Sequence, residues 1–308
     1  MPLSFSASPR RPLRLALALA MISLATLGAC RSTDLSRRDA MGLTDSLGEA
    51  EVRAHSAYVM DFATGRTLLA EDADALRYPA SLTKMMTLYL LFEAIEQRRL
   101  SLDTPLVVSQ NAASKPPSKL GLAPGSTIAA RDAAQALAVK SANDIATVIA
   151  ENLGETEAAF ALAMTRKAQA LGMRRTRFVN ASGLPDPRQV STARDMTILG
   201  QALRGRFPQY APLFAAREFA YAGRTHRATN KLLGTVPGVD GLKTGFIRDA
   251  GFNLVATAER GGRRILVTVI GGRTGAERNA EVTALVDRFL GPAPLAPMPA
   301  DLVAAGLE

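Results

Sequence analysis

The spacing of apolar residues divides the chain. Residues 15–27 form a largely apolar run behind Arg10, Arg11 and Arg14, too short to cross a bilayer comfortably and in the charge-then-apolar order of an export signal. Residues 31–52 are polar and charged without a long apolar period, as a tether is. Ala57-Tyr58-Val59-Met60-Asp61 and Arg66-Thr67-Leu68-Leu69-Ala70 then flank Ala63-Thr64-Gly65, which predicts a β-hairpin with Gly65 at positive φ. Over residues 81–97, Leu82, Met85, Met86, Tyr89, Phe92 and Ile95 recur at helical spacing. The residue before a proline avoids the helical basin, so Tyr78-Pro79 sets the helix start at or just after Pro79. Alanine-rich stretches over residues 131–139, 145–152 and 155–171 predict an all-helical middle. Residues 251–260 and 264–271 are β-like runs around Gly261-Gly262, and residues 276–290 read as a closing amphipathic helix. Strands at both ends around a helical insert predict an α+β architecture with an antiparallel sheet. The divisions are an export segment over 1–29, a tether over 30–53, one folded domain over 54–290 and a Pro/Ala-rich tail over 291–308.

Composition narrows the chemistry mainly through what is scarce. The 308 residues are 47% hydrophobic and 21% charged, enough for a core and unlike a multi-span membrane protein. The formal charge of +9 falls to +6, 34 basic against 28 acidic residues, without the first 29 positions. Such a surface is either simply solvated or draws an anionic polymer. Nucleic acid is not indicated, because Trp is absent, aromatics are 5% and no basic cluster interleaves with them. One cysteine and two histidines, His55 and His226, cannot build a Cys/His metal cage, a disulfide framework or an H-E-x-x-H helix, so neither metal nor cofactor is expected. A Ser-His-Asp triad would need one of those histidines, and both read as surface or strand-edge residues. The single cysteine, Cys30, ends Leu27-Gly28-Ala29-Cys30, which resembles the lipobox of bacterial lipoproteins. That resemblance implies cleavage before Cys30 and a membrane anchor through its acylated thiol, since each buried methylene contributes about 0.8 kcal/mol. The plainer reading is cleavage after Ala29 with a spare thiol.

Three short motifs carry the candidate chemistry: Ser81-Leu82-Thr83-Lys84, then Ser141-Ala142-Asn143 sixty residues on, then Lys243-Thr244-Gly245 another 102 residues on. Singly they have ordinary readings: a capped helix with a snorkelling lysine, a polar loop or cap, and a strand end or turn. Together they match the motif set of serine β-lactamases and penicillin-binding proteins, with Ala142 where that set has Asp. At i and i+3 on a helix, Ser81 Oγ and Lys84 Nζ leave one face and can meet, giving a nucleophile and a proton acceptor without histidine. Lys84 must then be neutral near physiological pH, which desolvation plus a nearby Lys243 can supply. Only seven of the 37 basic residues are lysine, and arginine could not lose its proton in that role. A first-turn position also offers Ser81 backbone N–H groups and the positive dipole end to a developing oxyanion. Ser141 can relay a proton to the leaving amine, and the Asn143 amide can hold a substrate amide. Lys243 and Thr244 can face an anionic terminus on a strand edge that pairs with an extended peptide, with Gly245 leaving room for it.

The resemblance widens beyond the three short motifs to Tyr78-Pro79-Ala80-Ser81-Leu82-Thr83-Lys84-Met85-Met86-Thr87, Lys140-Ser141-Ala142-Asn143-Asp144, Asn180-Ala181-Ser182-Gly183-Leu184-Pro185-Asp186, Pro237-Gly238-Val239-Asp240-Gly241-Leu242-Lys243-Thr244-Gly245 and Gly271-Gly272-Arg273-Thr274. On these the chain resembles the low-molecular-mass penicillin-binding proteins, the serine D-alanyl-D-alanine carboxypeptidases of peptidase family S11. The resemblance implies an antiparallel five-stranded sheet flanked by terminal helices, plus an all-helical subdomain. It implies acylation of Ser81 by peptidoglycan stem peptides, release of terminal D-alanine and hydrolysis, with β-lactams as covalent inhibitors. It further implies an oxyanion hole from the N–H groups of Ser81 and Phe246, help from Arg273 in holding the terminal carboxylate, and a periplasmic location facing the wall.

Phe246-Ile247 departs from the His or Tyr followed by Thr that many carboxypeptidase members carry, which blurs substrate choice. The chain also ends without the C-terminal β-domain and anchor helix of longer members, so a lipid on Cys30 is a plausible substitute. Three alternatives stay open at this point. An endopeptidase on cross-links would use the same nucleophile. A β-lactamase would need a water-activating carboxylate, which residues 173–179 lack. A non-catalytic peptidoglycan-binding module would not need Ser81 and Lys84 at this spacing.

Overall fold

The computed structural model describes residues 47–292; the export segment, Cys30, most of the tether and the tail from residue 293 lie outside the described residues. The predicted hairpin forms from β1 (Ser56–Asp61) and β2 (Thr67–Glu71), with Gly65 at φ +70° in the turn. The Asp61 carboxylate closes that turn, accepting from Thr64 N at 3.0 Å and Thr64 Oγ1 at 2.8 Å. Three long strands come from the other end of the chain: β7 (Val239–Ile247), β8 (Gly251–Arg260) and β9 (Arg263–Gly272). The five join as an antiparallel sheet in the order β2-β1-β9-β8-β7, with Ala57 opposite Val269 where the early and late segments meet. β7 is therefore an edge strand.

Neighbouring strand residues face opposite sides of a sheet, and the β9 residues from Ile265 to Gly272 are all buried, so both faces are covered. The cover comes from α6 (Ala193–Arg206), which packs on β1 and β9, and α8 (Gly275–Leu290), which packs on β8 and β9. A hydrogen bond of 2.6 Å between Thr197 and Thr268 pins α6 to the sheet. The predicted helix over residues 81–97 begins with a tighter 3-10 turn, Ala80–Thr83, and becomes α1 at Lys84–Glu96. Eleven of the thirteen α1 residues are buried, the signature of a helix enclosed on all sides. It packs against α6 and two helices of the insert, α4 (Asn143–Gly154) and α5 (Glu157–Ala170).

The insert is less uniformly helical than its alanine content suggests. It includes α2 (Gln110–Ser114), α3 (Ala130–Gln135), α7 (Ala211–Ala215) and two antiparallel ribbons, β3 (Pro105–Val107) with β4 (Thr127–Ala129) and β5 (Glu218–Tyr221) with β6 (Arg224–Arg227). Three- and four-residue strands are too short to display an alternating pattern, and the second ribbon is largely exposed. The predicted 131–139 helix is α3 followed by a wider π-type turn, Ala136–Lys140, that ends on Ser141 in the left-handed conformation, φ +62°. Among the described residues no helix is long and apolar enough to cross a membrane.

Candidate active site

The turn that carries Ser81 is strained and strapped in place. Ala80 takes φ +49°, a left-handed conformation uncommon for a residue with a side chain. Leu82 N donates to Pro79 O at 3.1 Å, closing the turn. Asn253, fully buried on β8, donates from Nδ2 to Tyr78 O at 3.0 Å and to Pro79 O at 3.3 Å, while its Oδ1 accepts from Gly271 N. One amide thus ties the Ser81 turn to two sheet strands. Gly245, opposite Asn253 in register, also approaches this turn: a Cβ there would lie 3.0 Å from Pro79 O and 3.3 Å from Ser81 N. A side chain there would press on the turn that carries Ser81.

Lys84 is fully buried beneath Ser81. Its Nζ lies 2.9 Å from Ser81 Oγ and 2.8 Å from Asn143 Oδ1, and also contacts Ser182 O. The protonation logic follows from the three partners. An amide oxygen and a peptide carbonyl can only accept, so a neutral Nζ spends its two protons on Asn143 and Ser182. Its lone pair is then left for Ser81, the one partner with a proton to donate. Burial, with Lys243 as a second cause, holds Lys84 well below the ordinary lysine value, against the opposing pull of Asp144 and Glu157. Lys243, also buried, is lowered to about 7 by burial and then by Arg278; its Nζ donates to Thr244 O at 2.9 Å.

The segment supplying the Ser182 carbonyl is itself locked. Asn180 Oδ1 accepts from Ser182 N and Gly183 N, at 3.2 and 2.8 Å, and Thr87 Oγ1 on α1 donates to Ala181 O at 2.7 Å. Gly183, at φ +83°, lies so close to the nucleophile turn that a Cβ would fall 1.9 Å from Ala80 O. Glu157 braces the same segment, accepting from Ala181 N at 3.1 Å and pairing with Lys115 at 2.8 Å.

In front of Ser81 opens a cavity of about 670 Å³, walled by Ser141 and Asn143 on one side, Thr244, Gly245, Phe246 and Ile247 of β7 on another, and Arg278 and Asn279 of α8. Its lining includes three cations, Lys140, Lys231 and Arg278, and, among the described residues, no carboxylate. Phe246 is 53% exposed and stands 4.4 Å from the Phe252 ring, forming an aromatic rim. Thr244 Oγ1 donates to Thr229 Oγ1 at 2.7 Å. Lys243 does not line the cavity and sits behind it. His55 pairs with Glu281 and His226 lies on β6; neither reaches the cavity. Among the described residues no group of three or more His, Cys, Asp or Glu is placed to hold a metal.

The family model for D-alanyl-D-alanine carboxypeptidase, peptidase S11, matches residues 44–274. The chain belongs to that family. It is 32% identical to D-alanyl-D-alanine carboxypeptidase DacF of Bacillus subtilis over 76% of this chain and 61% of the relative, so it spans less than two thirds of that relative's length. Among solved structures it is similar to penicillin-binding protein 5 of Haemophilus influenzae, with a TM-score of 0.74 and 30% identity over 77% of this chain and 71% of the other. Penicillin-binding protein D2 of Listeria monocytogenes in its cefotaxime-bound form gives a TM-score of 0.70 and 33% identity, over 77% of this chain and 96% of that one.

In this S11 chain Ser81, Ser141, Asn143, Thr244 and Gly245 line one cavity with Lys84 beneath it and Lys243 behind, whereas Arg273 stands apart. Its side chain is 87% exposed and pairs with Glu277 at 3.1 and 3.2 Å, outside the cavity lining. The arginine in the cavity is Arg278, buried, bound through Nε to Asn279 Oδ1 at 2.9 Å and through Nη1 to Asn253 O. Burial lowers it to about 10, which leaves it charged at neutral pH. A signal for Arg278 was present in the sequence: with Val282 and Leu285 it falls at i, i+4 and i+7, on the buried stripe of the closing helix. The carbonyl of Ser182 and the strap from Asn253 had no such signal.

Proposed function

We propose that the protein is a serine D-alanyl-D-alanine carboxypeptidase that trims the terminal D-alanine from peptidoglycan pentapeptide stems through an acyl-enzyme on Ser81. The observation that carries this reading is the buried Lys84 Nζ at 2.9 Å from Ser81 Oγ, with its other two partners able only to accept. Neutral Lys84 takes the Ser81 proton as Oγ attacks the carbonyl of the penultimate D-alanine. The N–H groups of Ser81 and Phe246 receive the oxyanion. Ser141 passes a proton to the leaving amine, Asn143 holds a substrate amide, and a water then hydrolyses the ester. Arg278, with Thr244 beside it and Lys243 behind, suits the terminal carboxylate better than Arg273 does, because a partly desolvated guanidinium binds a carboxylate more strongly than an exposed one already paired.

β-Lactams acylate the same hydroxyl. Their release is slow, since among the described residues no carboxylate lines the cavity to activate the deacylating water. The proposal includes export across the cytoplasmic membrane, with Cys30 as the lipid-bearing residue, which places the enzyme at the wall. Incubation of the purified protein with a pentapeptide stem, followed by assay of free D-alanine, tests the activity. Release of D-alanine by the native chain and none by Ser81→Ala is the expected result. An intact pentapeptide with the native enzyme would overturn it. Mass spectrometry of the mature N-terminus reads the modification of Cys30.

A further inference from the structure

A second cavity, of about 620 Å³, lies beside the first and shares Lys231 with it. Its walls are the start of the β5–β6 ribbon and the segment leading to β7: Arg217, Glu218, Arg227, Asn230, Lys231 and Leu233 contribute. Three cations thus face one carboxylate. Among the described residues none of Arg217, Arg227 and Lys231 makes an ion pair, although Glu218 lies opposite Arg227 in register. The floor is firm. Ala228, Asn230 and Leu233 are buried, Asn230 Nδ2 donates to Gly241 O of β7 at 3.2 Å, and the Arg217 guanidinium lies against Gly234, within 3.1 Å of where a Cβ would stand. His226 on the same ribbon is pushed below its ordinary value by burial and then by Lys140 and Arg224, which places further positive charge close by.

We infer that this cavity is an anion subsite for the substrate, taking a carboxylate of a peptidoglycan peptide outside the reacting D-alanyl-D-alanine. The inference rests on the function proposed above. Its geometry comes from β7. The catalytic turn meets that strand at Gly245 and the second cavity meets it at Gly241, four residues away, or about 13 Å of extended chain. The two cavities share Lys231, so a peptide whose reacting end lies at Ser81 reaches the second cavity past that side chain. A concave surface with one sign of charge concentrates its field on the ligand, and guanidinium groups match carboxylates in shape. The carboxylate has two possible sources, the acyl-side stem or the leaving side of a cross-linked pair.

The double variant Arg217→Gln/Arg227→Gln tests the subsite without touching the catalytic cavity. It is assayed on an N-acylated D-alanyl-D-alanine dipeptide, a free-acid pentapeptide stem, the same stem with every carboxylate except the terminal one amidated, and a cross-linked stem dimer. The expected result is a rise in KM of about three- to tenfold on a free-acid substrate, the size of one or two partly exposed charge contacts. kcat, the dipeptide and the amidated stem are unaffected, and the effect shrinks at high salt. A rise on the pentapeptide assigns the anion to the acyl side; a rise on the dimer alone assigns it to the leaving side. An unchanged KM on every free-acid substrate, or an equal rise with the amidated stem, overturns the subsite. Should the double variant lose penicillin labelling, and hence its fold, Arg227→Gln alone is read by the same criteria. Failure of the native enzyme to label or to cleave the dipeptide would instead sink the proposed activity. In that case calorimetric binding of free-acid against amidated stem decides the subsite separately, equal affinities overturning it.

Discussion

Lys84 and Lys243 are both sealed from water and both held below the ordinary lysine value chiefly by that burial, yet they keep different company. Lys84 meets two oxygens that can only accept and one hydroxyl that can donate. Lys243 has a single backbone carbonyl, Thr244 O, and a neighbouring guanidinium, Arg278. Burial makes a neutral amine accessible; the partners decide what its lone pair does. In the proposed reaction this difference makes Lys84 the base and leaves Lys243 to act electrostatically, on Lys84 and on the anionic end of the substrate.

The comparison breaks most sharply at Lys84→Arg, which keeps a cation but cannot surrender its proton. Acylation of Ser81 is expected to slow by on the order of a thousandfold. A time course of fluorescent penicillin labelling measures it, and near-native labelling would show that Ser81 needs no base here. Arg278→Gln removes the buried cation of the cavity and should raise KM for D-alanyl-D-alanine substrates about tenfold or more, the worth of a charge-assisted bond. Gly183→Ala tests the lock over Lys84. With φ +83° and a Cβ falling 1.9 Å from Ala80 O, it should cost about 1–3 kcal/mol in a denaturant titration and slow acylation as well.

Lys243→Met separates the two amines by pH. The Lys243 charge lowers Lys84, so its removal lets the Lys84 value rise. The base works only when neutral, and activity falls as pH drops through that value. The acidic limb of the kcat/KM profile should therefore move to higher pH; a limb that stays, or moves down, contradicts the coupling. The smallest effect belongs to Arg273→Gln, which should change KM by less than about twofold because an exposed i,i+4 pair contributes little.

Much of this was legible without a structure. The β1–β2 hairpin, α1, the late strands and the closing helix all follow from apolar spacing, with ends displaced by only a few residues. Helix α6 carries a sequence signal too: Thr192 caps it by accepting from Asp195 N at 3.0 Å, a pattern visible as T-x-x-D ahead of an apolar run. The short ribbons of the insert were not, since three or four residues carry no period. At the site, Ser81 and Lys84 announce themselves because one helical turn separates them. Arg273 stands in the Gly-Gly-Arg-Thr motif but points to solvent, while Arg278, five residues on, turns into the cavity.

The sequence by itself determined the local chemistry: a serine and a lysine at i and i+3, set by helical spacing, and a serine-asparagine pair and a lysine-threonine-glycine run, set by their resemblance to the family's motifs. Tertiary structure alone decided which carbonyl completes the Lys84 shell, which arginine turns inward and which strand is left at the sheet edge. Ser182 lies 98 residues from Lys84, and Asn253 lies 174 from Pro79. No periodicity reaches across such distances. Those choices come from packing two remote segments against one sheet, and the same packing removes the water that would otherwise keep Lys84 charged.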